Sequence, residues 1–250
     1  MVLLIDVGNS NIVFGFSDLE KINKSFRFKS LTDKTSDEYY IILKSMLDMY
    51  KFDSVIITSV VPVITSALKK LFKSYYNIDS IIVGPGVKTG IQLKVDDPKT
   101  VGADIICDCS GAMKFASEAI IVDLGTATKY VYVKDNIFYG CSIAPGVAIS
   151  MRALVSNAAL LPNIEFSTPK KVISTNTIAC MQSGVIYGAA SQVDGMVDRI
   201  KGELGKSDIF VIATGGLSSL IIPLCKNKIV IEENLTLAGL LEIYKKNLVA

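Results

Sequence analysis

Asp6-Val7-Gly8-Asn9 and Asp123-Leu124-Gly125-Thr126 are the two stretches on which the fold of this chain turns. Each is an acidic residue near the end of a short apolar, β-branched run, followed at once by a glycine turn. Val2 to Val7 leads into the first and Ala119 to Leu124 into the second, and the chain returns as a strand after each, at Ile12 to Phe16 and Lys129 to Val133. The two copies stand 117 residues apart in a chain of 250, a spacing that points to internal duplication with a boundary near residues 112–118.

The elements around the turns fit that division. In the first half, Ser25 to Lys29 predicts a third strand and Thr35-Ser36-Asp37-Glu38 a capping box. The helix that follows puts Tyr39, Leu43, Met46, Leu47 and Tyr50 on one face. Val55 to Ser59 reads as a buried strand, Thr65 to Tyr75 as a helix after Pro62, and Ile81 to Val83 as a short strand. The second half repeats the opening and adds a strand at Ile137 to Ile143 and helices near Val147 to Leu160 and Thr177 to Leu204. A strand at Ile209 to Ala213, a Gly-Gly turn, a helix at Leu217 to Cys225 and a helix from Leu235 to Leu248 close it. Strands mixed with helices in both halves imply α/β domains, 1–115 and 116–250.

Glycine turns at strand ends have a use in phosphate binding, because backbone N–H groups can approach phosphate oxygens closely there. Asn9 and Thr126 add side-chain donors. The carboxylates of Asp6 and Asp123 repel a bare phosphate, so they make sense with a cation or its hydration water between. Thr214-Gly215-Gly216 offers a third glycine site, able to take a ribose or phosphate. Gly84-Pro85-Gly86-Val87-Lys88-Thr89-Gly90 imitates a phosphate loop, but Val87 breaks the Gly-Lys-Thr order, and it reads as a turn. Asp97 with Pro98 starts a helix that sets Asp104 and Asp108 four residues apart on one face. They are either a source of a general base or a solvated acidic face.

Composition removes several function classes. The chain has no histidine, which excludes Ser-His-Asp and Cys-His catalysis and every His-ligated metal site. A net charge of +2 argues against nucleic acid as a main partner. The five cysteines are odd in number without a Cys-x-x-Cys pair, as expected of free thiols in a reducing cytoplasm. The apolar start is stopped by Asp6 and lacks a basic segment, so it does not read as a signal peptide, and no stretch reads as a membrane span.

Twin phosphate turns plus a Gly-Gly turn resemble the acetate kinase, sugar kinase, Hsp70 and actin superfamily. Within it the whole chain is similar to type III pantothenate kinases, in family order. The matching segments include Asp6 to Asn11, Ser59-Val60-Val61-Pro62, Val87 to Gly90, Asp97-Pro98, Gly102-Ala103-Asp104 and Asp123 to Thr128. They continue with Ala144-Pro145-Gly146, Ala158 to Pro162, Met181 to Gly184 and Thr214-Gly215-Gly216. The resemblance implies two related ribonuclease H-like domains with a nucleotide cleft between them, and transfer of the ATP γ-phosphate to pantothenate in the first step of coenzyme A biosynthesis. It implies ATP contacts from Asp6, Val7, Gly8, Asn9, Ser10, Asn11, Ile12, Val13, Thr126, Gly215 and Gly216. Asp6 would lie near Mg2+, and Asp123 would hold a monovalent cation, K+ or NH4+. Asp104 would be the general base, with Gly102, Ala103, Ile105 and Thr177 lining the pantothenate pocket. A cytoplasmic homodimer is also implied.

Two positions depart from the pattern. Ile105 stands where the family has an arginine of the substrate pocket, and Lys88, Lys94 and Arg152 are cations that could compensate. Lys129 replaces a threonine that commonly ends the second turn, and either assists a phosphate or lies on the surface. Ile105 leaves room for two other classes: an accessory or regulatory relative without turnover, and a kinase for another small alcohol.

Overall fold

Two mixed sheets, one of five strands and one of six, organise the chain, and five strands of each follow one order. The computed structural model describes residues 1–248, and the chain divides into one unit of Met1–Phe115 with the segment from Asn234 onward, and another of Ala116–Glu233. The first unit contains β1 (Val2–Val7), β2 (Asn11–Ser17), β3 (Ile22–Lys29), α1 (Ser36–Leu47), β4 (Ser54–Ser59), α2 (Pro62–Tyr76), β5 (Ile81–Ile82), β6 (Gln92–Leu93) and α3 (Ala103–Ala112). The second contains β7 (Glu118–Leu124), β8 (Ala127–Lys134), β9 (Ile137–Pro145), α4 (Val147–Asn157), α5 (Thr177–Glu203), β10 (Phe210–Thr214), α6 (Ser218–Ile221) and β11 (Val230–Ile231). The last helix, α7 (Leu235–Leu248), belongs to the first unit.

In the first unit the order is β3-β2-β1-β4-β5, and in the second β9-β8-β7-β10-β11. β1 is antiparallel to β2 and parallel to β4, while β7 is antiparallel to β8 and parallel to β10. The Asp-x-Gly turns therefore follow equivalent central strands. Asp6 stands between Val13 and Thr58, and Asp123 between Lys129 and Thr214.

Alternation along β1 explains how its sheet is covered. Leu3, Ile5 and Val7 point to one face with Ile12, Phe14 and Phe16, where Tyr39, Leu43 and Leu47 of α1 and Leu68, Leu71 and Phe72 of α2 cover them. Val2 and Leu4 point to the other face, against Cys107 of α3 and Leu237, Leu240, Leu241 and Ile243 of α7. Asp6, of the same parity as Val2 and Leu4, lies on this α3 and α7 face. In the second unit Ile120, Val122 and Leu124 pack with Ile186, Val193 and Val197 of α5.

The capping box forms as expected, with Thr35 accepting from the Glu38 N–H and Glu38 accepting from the Thr35 N–H. Three expectations need correction. The final helix joins the first unit rather than the 116–250 half, because the face of β1 that carries Val2 and Leu4 is closed by α7 alongside α3. The helix expected over Leu217 to Cys225 is one turn of α6 followed by a 3-10 turn at Ile222–Leu224, since Pro223 has no N–H to continue the α pattern. The helix expected from Pro98 is only a 3-10 turn, Pro98–Thr100, and α3 starts afresh at Ala103.

Candidate active site

The first turn is closed by the Gly8 N–H donating to the Asn11 carbonyl at 3.0 Å. Ser30 takes up two further carbonyls of the turn: its N–H donates to Ser10 O at 3.0 Å and its hydroxyl to Gly8 O at 2.6 Å. Those oxygens, which would repel a phosphate, are thereby tied to Ser30, while the side chains of Asn9, Ser10 and Asn11 are exposed. Asp6 is half-buried at the strand end. Val7 and Ile12 are spent in the core, and Val13 packs on the α3 and α7 face, so what these three offer a ligand is backbone. A carboxylate with amide and hydroxyl oxygens nearby is the hard donor chemistry that Mg2+ accepts.

Asp104 lies in the first turn of α3, where its Oδ1 accepts from the Ile105 N–H at 2.9 Å. A Cβ at Gly102 would collide with that same Oδ1, so the glycine makes room for the carboxylate. Asp6 and Asp104 act on the same neighbour. Burial pushes the Cys107 thiol well above its usual range, and the negative charges of Asp108, Asp6 and Asp104 all push it further. The fold thus brings two residues 98 positions apart in sequence to one face.

Asp108 is not part of a solvated acidic face. It is 1% exposed and accepts from the Thr236 hydroxyl of α7 at 2.6 Å. Ile105, where the family pattern has arginine, is 6% exposed; its side chain packs, and its N–H holds Asp104.

In the second unit, Gly125 and Thr126 form the turn between β7 and β8. Gly215 has φ +94°, and a Cβ there would stand 2.7 Å from Asp123 Oδ1 and 2.5 Å from the Leu124 carbonyl carbon. The Gly215-Gly216 turn is thus pressed onto the Asp123–Leu124 peptide, and it is pinned by the Ser218 N–H and hydroxyl, which donate to Gly215 O at 3.1 and 2.7 Å. Two of the three glycine sites read from the sequence, the Asp123 turn and the Gly215 turn, are therefore one feature.

Lys129 is not on the surface. Its Nζ lies 2.7 Å from Asp123 Oδ2, and the two side chains are only 11% and 13% exposed. The register of β7 and β8 sets Lys129 opposite Asp123 across the hairpin, a pairing that a turn over Gly125 to Thr128, with Lys129 opening the return strand, does not give. Thr177 is the exposed first residue of α5, whose N-cap Asn176 accepts from the Ala179 N–H. A cavity of about 550 Å³ lined by Pro145, Val147, Leu154, Met181 and Val185 of the second unit contains none of the expected site residues.

Comparison with known proteins agrees with this arrangement. A family model described as type III pantothenate kinase matches residues 2–199. The chain is 44% identical over 248 residues to a type III pantothenate kinase of Acholeplasma laidlawii, covering 99% of this chain and all of the relative. It is 45% identical over 254 residues to one of Citrifermentans bemidjiense, with 99% and 100% covered. Among solved structures, a Sinorhizobium meliloti chain described as a 2-dehydro-3-deoxygalactonokinase superposes with a TM-score of 0.63 at 14% identity, covering 98% of this chain and 96% of that one, which shows a shared fold. Spanning its relatives end to end and carrying both glycine turns on equivalent strands, this chain belongs to the type III pantothenate kinase family.

Proposed function

We propose that the chain transfers the γ-phosphate of ATP to the hydroxyl of pantothenate, opening coenzyme A synthesis. Membership of the family over its whole length makes it an ATP-dependent phosphotransferase. The observation that carries the site assignment is the Asp104 carboxylate, oriented by the Ile105 N–H on the face that also bears Asp6.

In this reading Asp104 accepts the proton of the substrate hydroxyl as that oxygen attacks the γ-phosphorus, and ADP departs. Backbone N–H groups of Val7 to Val13, the side chains of Asn9, Ser10 and Asn11, and Thr126 bind the phosphates. Gly215 and Gly216 receive the adenosine. Mg2+ bound beside Asp6 supplies neutralisation of phosphate charge. Gly102, Ala103 and Ile105 line the acceptor pocket with Thr177. The resemblance also implies a monovalent cation at Asp123, but the Lys129 ammonium already stands against that carboxylate.

A homodimer is supported by the exposed apolar side chains of Ile143, Leu154, Leu160, Val172, Ile173 and Ile178 in the second unit. Free Cys107, Cys109, Cys141, Cys180 and Cys225 suit a reducing cytoplasm. No helix among the described residues is long and apolar enough to cross a membrane.

Coupled ADP release with pantothenate tests the reaction, and Asp104→Asn tests the base. The variant is expected to lose roughly 100-fold to 10,000-fold in kcat while binding ATP as the parent does. A near-normal kcat removes Asp104 from the mechanism.

A further inference from the structure

We propose that the Lys129 ammonium is the permanent counter-cation of the second phosphate turn, so that this chain transfers phosphate without an added monovalent cation. The inference rests on the ATP-dependent kinase reading above. It starts from an asymmetry between two otherwise matching strand pairs. Across the first hairpin Asp6 faces Val13; across the second, Asp123 faces Lys129.

A carboxylate beside a phosphate turn needs a positive charge to be tolerated there. At Asp123 that charge is covalently attached. Lys129 Nζ lies 2.7 Å from Oδ2, the distance of a charge-assisted hydrogen bond, with both side chains largely withdrawn from water. The strand register holds the pair in place, flanked by Val122 opposite Tyr130 and Leu124 opposite Thr128. On the other oxygen, Oδ1, the backbones of Gly125 and Gly215 crowd in, since a Cβ at either would lie 3.1 or 2.7 Å away. The donor set at Asp123 therefore does not fit a monovalent metal ion. One oxygen is taken by an ammonium of the same charge as potassium, and the other is walled by backbone. A second cation would also meet the Lys129 charge at close range.

The test uses the full chain in buffer free of sodium and potassium, with ionic strength held by tetramethylammonium chloride. ADP release from MgATP and pantothenate is measured with and without KCl or NH4Cl, for the parent and for Lys129→Thr. The parent should change by less than about twofold on adding potassium, whereas Lys129→Thr should fall roughly tenfold or more without it and recover with potassium or ammonium. Activation of the parent by about tenfold or more overturns the proposal, as does a Lys129→Thr variant equally active in every salt. Binding of a fluorescent ATP analogue in the same salts needs no acceptor and separates this inference from the substrate reading. If pantothenate is not phosphorylated in any salt, yet analogue binding depends on potassium in Lys129→Thr alone, the substrate assignment fails and the role of Lys129 stands. Potassium-dependent analogue binding by the parent sinks the role of Lys129. Should circular dichroism show Lys129→Thr unfolded, Lys129→Gln, close in length and uncharged, is judged by the same outcomes.

Discussion

Asp104 owes its orientation to a neighbour without a side chain. Gly102 has φ −61° and ψ 140°, values open to any residue, so alanine is permitted there by the backbone. The conflict is only with Asp104 Oδ1, which a Cβ would displace. Gly102→Ala is therefore expected to lower kcat by roughly tenfold or more while leaving the melting temperature and ATP affinity close to the parent. Steady-state kinetics beside a thermal melt checks this, and an unchanged kcat rejects the steric argument. That Asp104 and Asp108 share a helix was legible from local pattern, although the helix starts at Ala103 rather than at Pro98. The burial of Asp108 was not, because Thr236 and the helix that carries it lie 128 residues further along. Neither the partner of Lys129 nor its exclusion from solvent was legible, because a turn over Gly125 to Thr128 would have set it opposite Leu124 rather than Asp123.

Local signals decided most elements. The Thr35 and Glu38 capping box set the start of α1, and alternation in β1 and β2 separated the two faces of their sheet. Pro223 was available as a signal against a long helix after Gly216 and takes effect in the structure as one. What local pattern does not encode is which sheet a helix covers. The apolar face of α7 closes over Val2, Leu4 and Ile56, residues more than 170 positions earlier in the chain. Leu240, fully buried in that cluster, should cost about 2–5 kcal/mol on truncation to alanine. Leu248, half exposed on the same helix, should cost no more than about 0.5 kcal/mol. Urea denaturation of the two variants distinguishes them, and equal losses would mean that α7 is not held through this face.

For the whole molecule, the recurrence of strand, Asp-x-Gly turn and strand foretold two units of one design, and β1 to β5 and β7 to β11 follow equivalent orders. Stability toward acid has an identifiable contributor in the second unit. Burial pushes the Asp194 carboxyl up, but the Asn227 and Lys226 N–H groups and the Asn227 amide donate to it and leave it below its usual range. A carboxyl with a depressed folded pKa stabilises above its unfolded value near about 4, and that contribution is lost as the pH falls through the folded value. Asp194→Asn should therefore melt lower than the parent at neutral pH, with the gap narrowing below about pH 4. A gap constant across that range would contradict the assignment. The position of α7 also has a consequence for synthesis on the ribosome. The second unit is one continuous stretch and can close as it emerges, but the first must wait, with the Val2 and Leu4 face of β1 covered only in part by α3, until α7 has been translated. The half made first is completed last, and for that interval a chaperone has an apolar surface to hold.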